Sequence, residues 1–369
     1  MGLNSFQTSG SSPTARCQVG ILGFGTVGSA LARRLTGPDS PPTLQLTHIC
    51  DRRSRDKRAR QADAVASLVW TDRFDDLLAS GVDIIVEAVS TAEPASDYVR
   101  AALLAGKSVV TAYTQVIAHH GSPLLTLAER QGRQLRFEAA VGGAMPIVRA
   151  LADGLSGDRI TGIEGMLSGT ASAVLSRMET TLCPIDEAIA DACARGYAEG
   201  DPSLDLNGVD AAAKLSILCA LAFRVRVAPS QIDTRTAAAI VAEDFREAQL
   251  RGGTIRQIAH AEYDAERWAL RAWVAPRVVS KASLFGRATG PENVAVITGA
   301  HAGDVTLTGA GAGGDAMAVA ALGDLVAIAR DRAAIVPAPV LADVKTISGL
   351  ADQKVAGIAD ISTNHREAV

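Results

Sequence analysis

The sequence predicts an α/β fold, a doubly wound parallel sheet followed by a second, α+β domain. Three observations carry this. Short apolar strands alternate with helical runs from residue 17 to residue 137, the pattern of a parallel sheet with crossover helices. A Gly-x-Gly-x-x-Gly turn, Gly23 to Gly28, stands where the first strand passes into the first helix. Beyond residue 159, β-rich runs separated by Gly and Pro mix with apolar helices, which predicts a second, mixed sheet covered by helices. At 369 residues the chain has room for two domains, each with its own core.

Residues 17–22 read as a buried strand and 29–35 as a helix. In a Rossmann-type sheet, glycines at this junction let the backbone approach a pyrophosphate, and the helix N-terminus supplies N–H donors. Gly23, Gly25, Thr26, Val27 and Gly28 are therefore the candidate cofactor cradle. The second strand, 44–50, ends at Asp51, where an acid would accept from the ribose hydroxyls. Arg52, Arg53, Arg55 and Lys57 follow; they suit a 2′-phosphate or a solvated charged face, so NAD and NADP both stay open. A third strand, 82–86, leads into Glu87-Ala-Val-Ser90-Thr91. Helix 98–105, strand 108–111, helix 124–131 and strand 134–137 complete the alternation. Ligands bind past the carboxyl ends of such strands. Asp51, Ser90, Thr91, Ala112, Tyr113, Glu138 and Ala139 all stand there.

Helix 147–155 bridges to the second domain, where strand 159–167 is followed by Ser168-Gly-Thr170 and a helix through Glu179. Short runs such as 268–274 and 294–297 supply more strands. Gly309-Ala-Gly-Ala-Gly-Gly314 precedes helix 317–330; it is either a second phosphate cradle or a close helix–backbone contact. The expected domains are a dinucleotide-binding unit over 17–150, completed by helix 315–330, and a substrate-binding unit over 151–314.

The most informative stretch runs from Gly196 to Lys214. It gathers Glu199, Asp201, Asp205, Asp210 and Lys214 in a loop that enters a helix. Asp210 and Lys214 are four apart and share one helix face. From residue 211 to 223 only Lys214 and Ser216 interrupt an apolar run, so the helix is buried. A plain helix salt bridge explains the spacing equally well. Lysine, however, is almost never fully buried unless paired. The chain holds only six lysines among 36 basic residues, which favours a position that needs an amine able to lose its proton.

A net charge of −4 argues against nucleic acid as the main partner. No apolar run reaches membrane-spanning length. Five cysteines without metal or redox spacing fit a reducing cytoplasm. Residues 1–16, rich in Ser, Thr and Gly, read as a disordered tail. His119 and His120 read as surface helix residues.

Together these segments resemble the homoserine dehydrogenase family, from about residue 17 to 330. The most specific piece is Gly-Tyr-Ala-Glu-x-Asp-Pro-x-x-Asp-x-x-Gly-x-Asp-x-x-x-Lys, present from Gly196 to Lys214. Glu138-Ala-x-Val-Gly-Gly-x-x-Pro146, Ser168-Gly-Thr170 and Gly311-Ala-Gly313 also fit. The resemblance implies NAD(P)-dependent interconversion of L-homoserine and L-aspartate 4-semialdehyde. It implies Glu199 and Asp210 on the substrate's amino group, with Asp205 and Thr170 close by and Lys214 near the reacting oxygen. Ala112 and Gly311 would join the cofactor site. Backbone oxygens around Glu138, Val141, Gly143 and Met145 would hold a monovalent cation, typically sodium, and the second domain would form a homodimer.

Two departures stand out. The family's Val-Val-Thr-Ala-Asn-Lys is Val109-Val-Thr-Ala-Tyr113-Thr114 here, so one active-site lysine is Thr114. A threonine can hydrogen-bond a substrate oxygen but is no general base near neutral pH. A Pro-Thr pair of the family is Ala316-Met317. Residues 331–369 are too few for the regulatory amino-acid-binding domain of many homologues, so no threonine feedback through such a domain is expected. The expected activity is that of a homoserine dehydrogenase; a relative retargeted to another amino-acid-derived alcohol or aldehyde, and a cofactor-binding protein with little catalysis, are the alternatives.

Overall fold

The structure, a computed structural model, describes residues 16–89, 92–198, 201–331 and 340–347. Expectations for Ser90, Thr91, Glu199 and the tail 1–15 lie outside these residues, as does most of the C-terminal extension.

The first sheet has six strands: β1 (Cys17–Leu22), β2 (Leu44–Cys50), β3 (Val69–Thr71), β4 (Ile84–Glu87), β5 (Ser108–Thr111) and β6 (Leu135–Arg136). Their spatial order is β3-β2-β1-β4-β5-β6, and every pairing is parallel. The order reverses between β1 and β4, which opens a crevice at their carboxyl ends. Val19, Ile21, Ile84, Val86, Val109 and Val110 are buried on both faces, as parallel strands under helices must be.

The helix Thr26–Thr36 covers one side and packs against the late helix Gly314–Arg330. That contact is close because it is made of small residues. A Cβ on Gly314 would lie 2.8 Å from the Thr26 carbonyl oxygen and 3.3 Å from Ala30 Cβ. Leu31, Leu325 and Ile328 are sealed in the same core. Each such side chain contributes about 1.5–3 kcal/mol on burial.

The helix expected at 124–131 is longer, Thr114–Arg130. The sequence His119-His-Gly-Ser-Pro123 looks like a break. It is carried because Pro123 removes only one N–H, the donor to the His119 carbonyl, and packing of Val116, Ile117, Leu124 and Leu125 outweighs the loss.

The second sheet contains β7 (Ile160–Met166), β9 (Asp233–Thr234), β10 (Gly253–Asp264), β11 (Ala269–Ser280), β12 (Glu292–Gly299), β13 (Gly303–Ala310) and β15 (Lys345–Ile347). Its path is β13-β12-β7-β10-β11-β15, with β9 also on β11. A small pair, β8 (Val225–Arg226) with β14 (Ala342–Asp343), stands apart. The pairings β13-β12-β7-β10-β11 are antiparallel, whereas β9 and β15 join β11 in parallel, so the sheet is mixed as expected. The short strands expected here are in fact long: β10 and β11 form a hairpin of twelve residues a side. The length was hidden by Pro276 within β11 and by Arg256 within β10. Arg256 is only 1% exposed, neutralised by Glu179 at 2.7 Å and bonded to the carbonyls of Ile255 and Ala288.

One face of this sheet, formed by Ile163, Ala259, Ala261, Ala272, Val274, Ala295 and Ile297, shares a core with the helix Val209–Phe223. That helix is therefore held between the second sheet and the helix Thr114–Arg130 of the first unit.

Candidate active site

The motif from Gly196 to Lys214 lies where β7 ends. Ser168 caps the helix Gly169–Thr181, its Oγ accepting from the Ala171 N–H at 3.1 Å and donating to Asp205 Oδ1 at 2.7 Å. Thr170 Oγ1 donates to the Tyr197 carbonyl at 2.7 Å, which ties the helix to the start of the motif. Gln257 Nε2 donates to the Asp205 carbonyl at 2.9 Å. Gly208, at φ +79°, makes the left-handed turn into the helix Val209–Phe223, a conformation that excludes most side chains.

On that helix Lys214 Nζ lies 2.7 Å from Asp210 Oδ2 and donates to the Leu167 carbonyl at 3.0 Å. The lysine side chain is 12% exposed and that of Asp210 20%, so the pair is half-hidden but open to a ligand. Asp205 is pushed above the usual carboxylate range by burial and by Asp210, against the opposing pull of Lys214 and the Ser168 and Thr170 hydroxyls. Asp201, expected in the same cluster, is exposed and accepts from the Ser203 amide and hydroxyl instead; the bend at Pro202 turns it outward.

The glycine turn joins β1 to the helix Thr26–Thr36 at the switch point of the first sheet. Gly23 has φ +95°, and a Cβ there would lie 2.5 Å from the Ala88 carbonyl oxygen. A Cβ on Gly28 would lie 2.0 Å from the Gly23 oxygen. Gly25 differs: nothing lies within 4 Å of its would-be Cβ. The first helical hydrogen bond is Ser29 N–H to the Gly25 carbonyl, so the amides of Thr26, Val27 and Gly28 precede it, at a turn whose Gly25 and Thr26 are exposed and with no acidic residue in the first turn of the helix. That is an anion cradle, and it fits a dinucleotide pyrophosphate.

Asp51 is held by the amides of Phe24 and Arg53 at 2.8 and 2.9 Å and by Lys57 Nζ at 2.6 Å. Although burial opposes it, these partners hold its carboxyl below the usual range. Arg52 is exposed at the end of the same strand. Ala112, half-buried, donates its N–H to the Glu87 carbonyl at 3.0 Å.

Glu87 is a buried carboxyl at the end of β4, beside the switch point, that its apolar strand disguised. It is 1% exposed, accepts from Thr111 Oγ1 and from the Val89 amide, and burial pushes its carboxyl up to about 7. Its place at the end of β4 was the only available signal. Thr114, at the start of its helix, donates its hydroxyl proton to the Ala140 carbonyl at 2.7 Å. Only its oxygen lone pairs remain for a substrate.

The loop from Glu138 to Pro146 is bolted down. The Glu138 carboxylate accepts from the amides of Val148 and Arg149, both at 2.9 Å, and its own amide donates to Asp324, which pairs with Arg149 at 2.9 Å. Burial pushes Glu138 up to about 7. Gly143 has φ +60° and a Cβ there would lie 2.7 Å from the Ala310 oxygen; one on Gly142 would lie 2.0 Å from the Met145 oxygen. This turn is lined by neutral backbone carbonyls, donors suited to a hard cation. Gly311 abuts Asn293, and Gly169 abuts Gly311 and Ala312, so the late glycine run makes close backbone contacts there. Gly313, by contrast, is open and caps the helix Gly314–Arg330.

A glycine cradle at the switch point of a parallel sheet, with a half-hidden lysine–carboxylate pair on the helix Val209–Phe223, defines a nicotinamide-dinucleotide oxidoreductase. The chain belongs to the homoserine dehydrogenase family. The family's catalytic-domain model, "Homoserine dehydrogenase", matches residues 146–326, and "Homoserine dehydrogenase, NAD binding domain" matches residues 23–138. A homoserine dehydrogenase of Mycobacterium bovis is 35% identical over 319 residues, covering 85% of this chain and 72% of that protein. One from Corynebacterium glutamicum is 34% identical over 338 residues, with 88% and 74% covered. Among solved structures, a homoserine dehydrogenase from Thiobacillus denitrificans superposes with a TM-score of 0.82 at 32% identity, covering 90% of this chain and 80% of that one. A hyperthermophilic archaeal homoserine dehydrogenase in complex with NADPH gives 0.68 at 25% identity, with 86% and 98% covered. Among the described residues no helix is long and apolar enough to cross a membrane.

Proposed function

We propose that this protein oxidises L-homoserine to L-aspartate 4-semialdehyde, and catalyses the reverse, with NAD or NADP. The observation that carries this is the Asp210–Lys214 pair, 2.7 Å apart, half-hidden beside the end of β7 and close enough to Asp205 to shift its carboxyl. Bound nicotinamide supplies or accepts the hydride. Thr26, Val27 and Gly28 would hold its pyrophosphate, and Asp51 its ribose. Glu199, Asp205 and Asp210 bind the substrate's ammonium, with Thr170 and Thr114 at its edges. Lys214 gives a proton to the new alkoxide in reduction and takes it back in oxidation. Of its three N–H donors, two are spent on Asp210 and Leu167, so the third is aimed rather than free to wander.

In the same reading, residues 17–150 with helix 315–330 are the cofactor domain and 151–314 the substrate domain, which also forms a homodimer in the cytoplasm. The carbonyls of Glu138, Val141, Gly143 and Met145 would hold a sodium ion that stiffens the loop between the domains; it supplies structure and no chemistry. Following reduced cofactor at 340 nm with homoserine and each dinucleotide tests the proposal. Cofactor binding without turnover of homoserine or related hydroxy-amino acids would overturn it.

A further inference from the structure

Three neighbouring strands of the first sheet end in one row. Leu22 of β1 pairs with Glu87 of β4, and Glu87 pairs with Thr111 of β5. A turn follows each: Gly23 after β1, Ala88 and Val89 after β4, Ala112 and Tyr113 after β5. The Glu87 carboxyl, sealed from solvent, joins the second turn to the third. Its Oε1 accepts from the Val89 amide at 2.8 Å. Its Oε2 accepts from Thr111 Oγ1, and that same Oγ1 accepts from the Tyr113 amide at 3.2 Å. The Glu87 carbonyl accepts from the Ala112 amide at 3.0 Å. On the opposite side, Ala88 donates to the Leu22 carbonyl at 2.8 Å, and the Ala88 oxygen is what a Cβ on Gly23 would strike. One side chain thus sets the turns after β4 and β5 against each other, next to the glycine turn.

An acid is a costly choice for this place. A parallel strand buried on both faces is ordinarily apolar throughout, and the other three residues of β4 are Ile84, Ile85 and Val86. Burial pushes the Glu87 carboxyl up although Thr111 and Val89 pull it down, so the group weakens the fold at neutral pH. What the carboxyl gives in return is the fixed relation between two turns. Dinucleotides lie across the crevice of such a sheet, one mononucleotide half to each side of the switch point. With Asp51, at the end of β2, on the adenosine ribose, the turns after β4 and β5 would bear the nicotinamide half.

Resting on the dehydrogenase reading, we infer that Glu87 is a positioning residue: through the Val89 amide and Thr111 it sets the seat of the nicotinamide half of the cofactor, and it leaves the adenosine half to the glycine turn and Asp51.

The test compares binding of NADH and ADP-ribose, and of NADPH and 2′-phospho-ADP-ribose, to the full-length protein by calorimetry. Each shorter probe keeps the pyrophosphate and adenosine and lacks the nicotinamide. Glu87→Leu, which keeps the volume and removes both hydrogen bonds, should raise Kd for the reduced dinucleotide about 10-fold and that for the shorter probe less than 2-fold. Glu87→Gln, which still offers an oxygen to Val89, should lose about 3-fold or less on the dinucleotide. Thr111→Val, which cuts the link to Tyr113 and spares that to Val89, should lose at least about 3-fold on the dinucleotide alone. The two near-isosteric changes keep the test open should Glu87→Leu fail to fold, which thermal melts would show. Equal losses on both probes, or none on either, overturn the inference and leave the dehydrogenase reading standing. So does a wild-type protein that binds the two probes equally, since it has no seat for the nicotinamide half. Binding of none of the four sinks the dehydrogenase reading, and this inference with it.

Discussion

Asp210 and Lys214, one helical turn apart on the helix Val209–Phe223, meet at 2.7 Å, and the Leu167 carbonyl at the end of β7 fixes the lysine from the opposite side. An exposed i,i+4 pair is worth a few tenths of a kcal/mol. This one is mostly hidden from water, so its chief effect is to hold an amine at a set place.

Lys214→Ala should lower turnover by about 10²–10⁴-fold, the usual worth of a positioned acid–base group. Affinity for the dinucleotide should stay within about 2-fold, because Lys214 is bonded to Asp210 and the Leu167 carbonyl and not to the glycine turn. Steady-state kinetics and a fluorescence titration of the reduced cofactor separate the two. Near wild-type turnover would remove Lys214 from the reaction.

Gly25 and Gly28 should respond differently to added bulk. Gly25→Val puts a side chain into open space over the helix N-terminus. Melting temperature should hardly move, while dinucleotide affinity falls at least about 10-fold. Gly28→Ala forces a methyl to within 2.0 Å of the Gly23 oxygen, so the fold itself should lose on the order of 1–3 kcal/mol. Thermal melts and binding titrations on both variants check the contrast.

The Asp51–Lys57 pair should govern cofactor choice. Lys57 neutralises the acid that would otherwise repel a 2′-phosphate. Lys57→Ala should therefore worsen KM for NADP more than for NAD, by roughly 3–10-fold, at low ionic strength. Equal losses for both dinucleotides would show that the ion pair only shapes the turn.

Glu87 gives a stability prediction with a definite sign. Its carboxyl stands at about 7 in the folded chain against an ordinary value of 4.5. The folded state therefore holds the proton more tightly than the unfolded one. Stability from this group is complete below pH 4.5 and is lost as pH rises to about 7, by on the order of 1–3 kcal/mol. Glu87→Gln should flatten that part of the profile, read as denaturation midpoints between pH 4.5 and 8. Glu138, raised likewise to about 7, contributes a second loss in the same window and leaves some slope in the variant.

Much of this architecture was legible because the determining signals are local. The β1–turn–helix junction needs glycines at Gly23, Gly25 and Gly28, and their spacing is visible in any chain. The pairing of Asp210 with Lys214 follows from helical period alone. What escaped was non-local compensation. Arg256 reads as a surface residue until Glu179, 77 positions away, neutralises it inside the second sheet. The helix beginning at Thr114 has its start and its continuity past Pro123 fixed only when the core around Ile117 and Leu124 is assembled. Glu87 reads as the end of a strand until Thr111 and burial make it a proton-binding group.

The sequence by itself determined the fold class, the glycine cradle and the amine on its apolar helix, since each depends on residues within a turn or two of one another. Tertiary structure alone decided that Asp201 leaves the cluster and that Ser168 and Leu167 complete it. Those outcomes depend on which surfaces meet and exclude water. The distances between groups far apart in the chain, and the solvent left between them, are set only when the second sheet and the helix Thr114–Arg130 close around the helix Val209–Phe223.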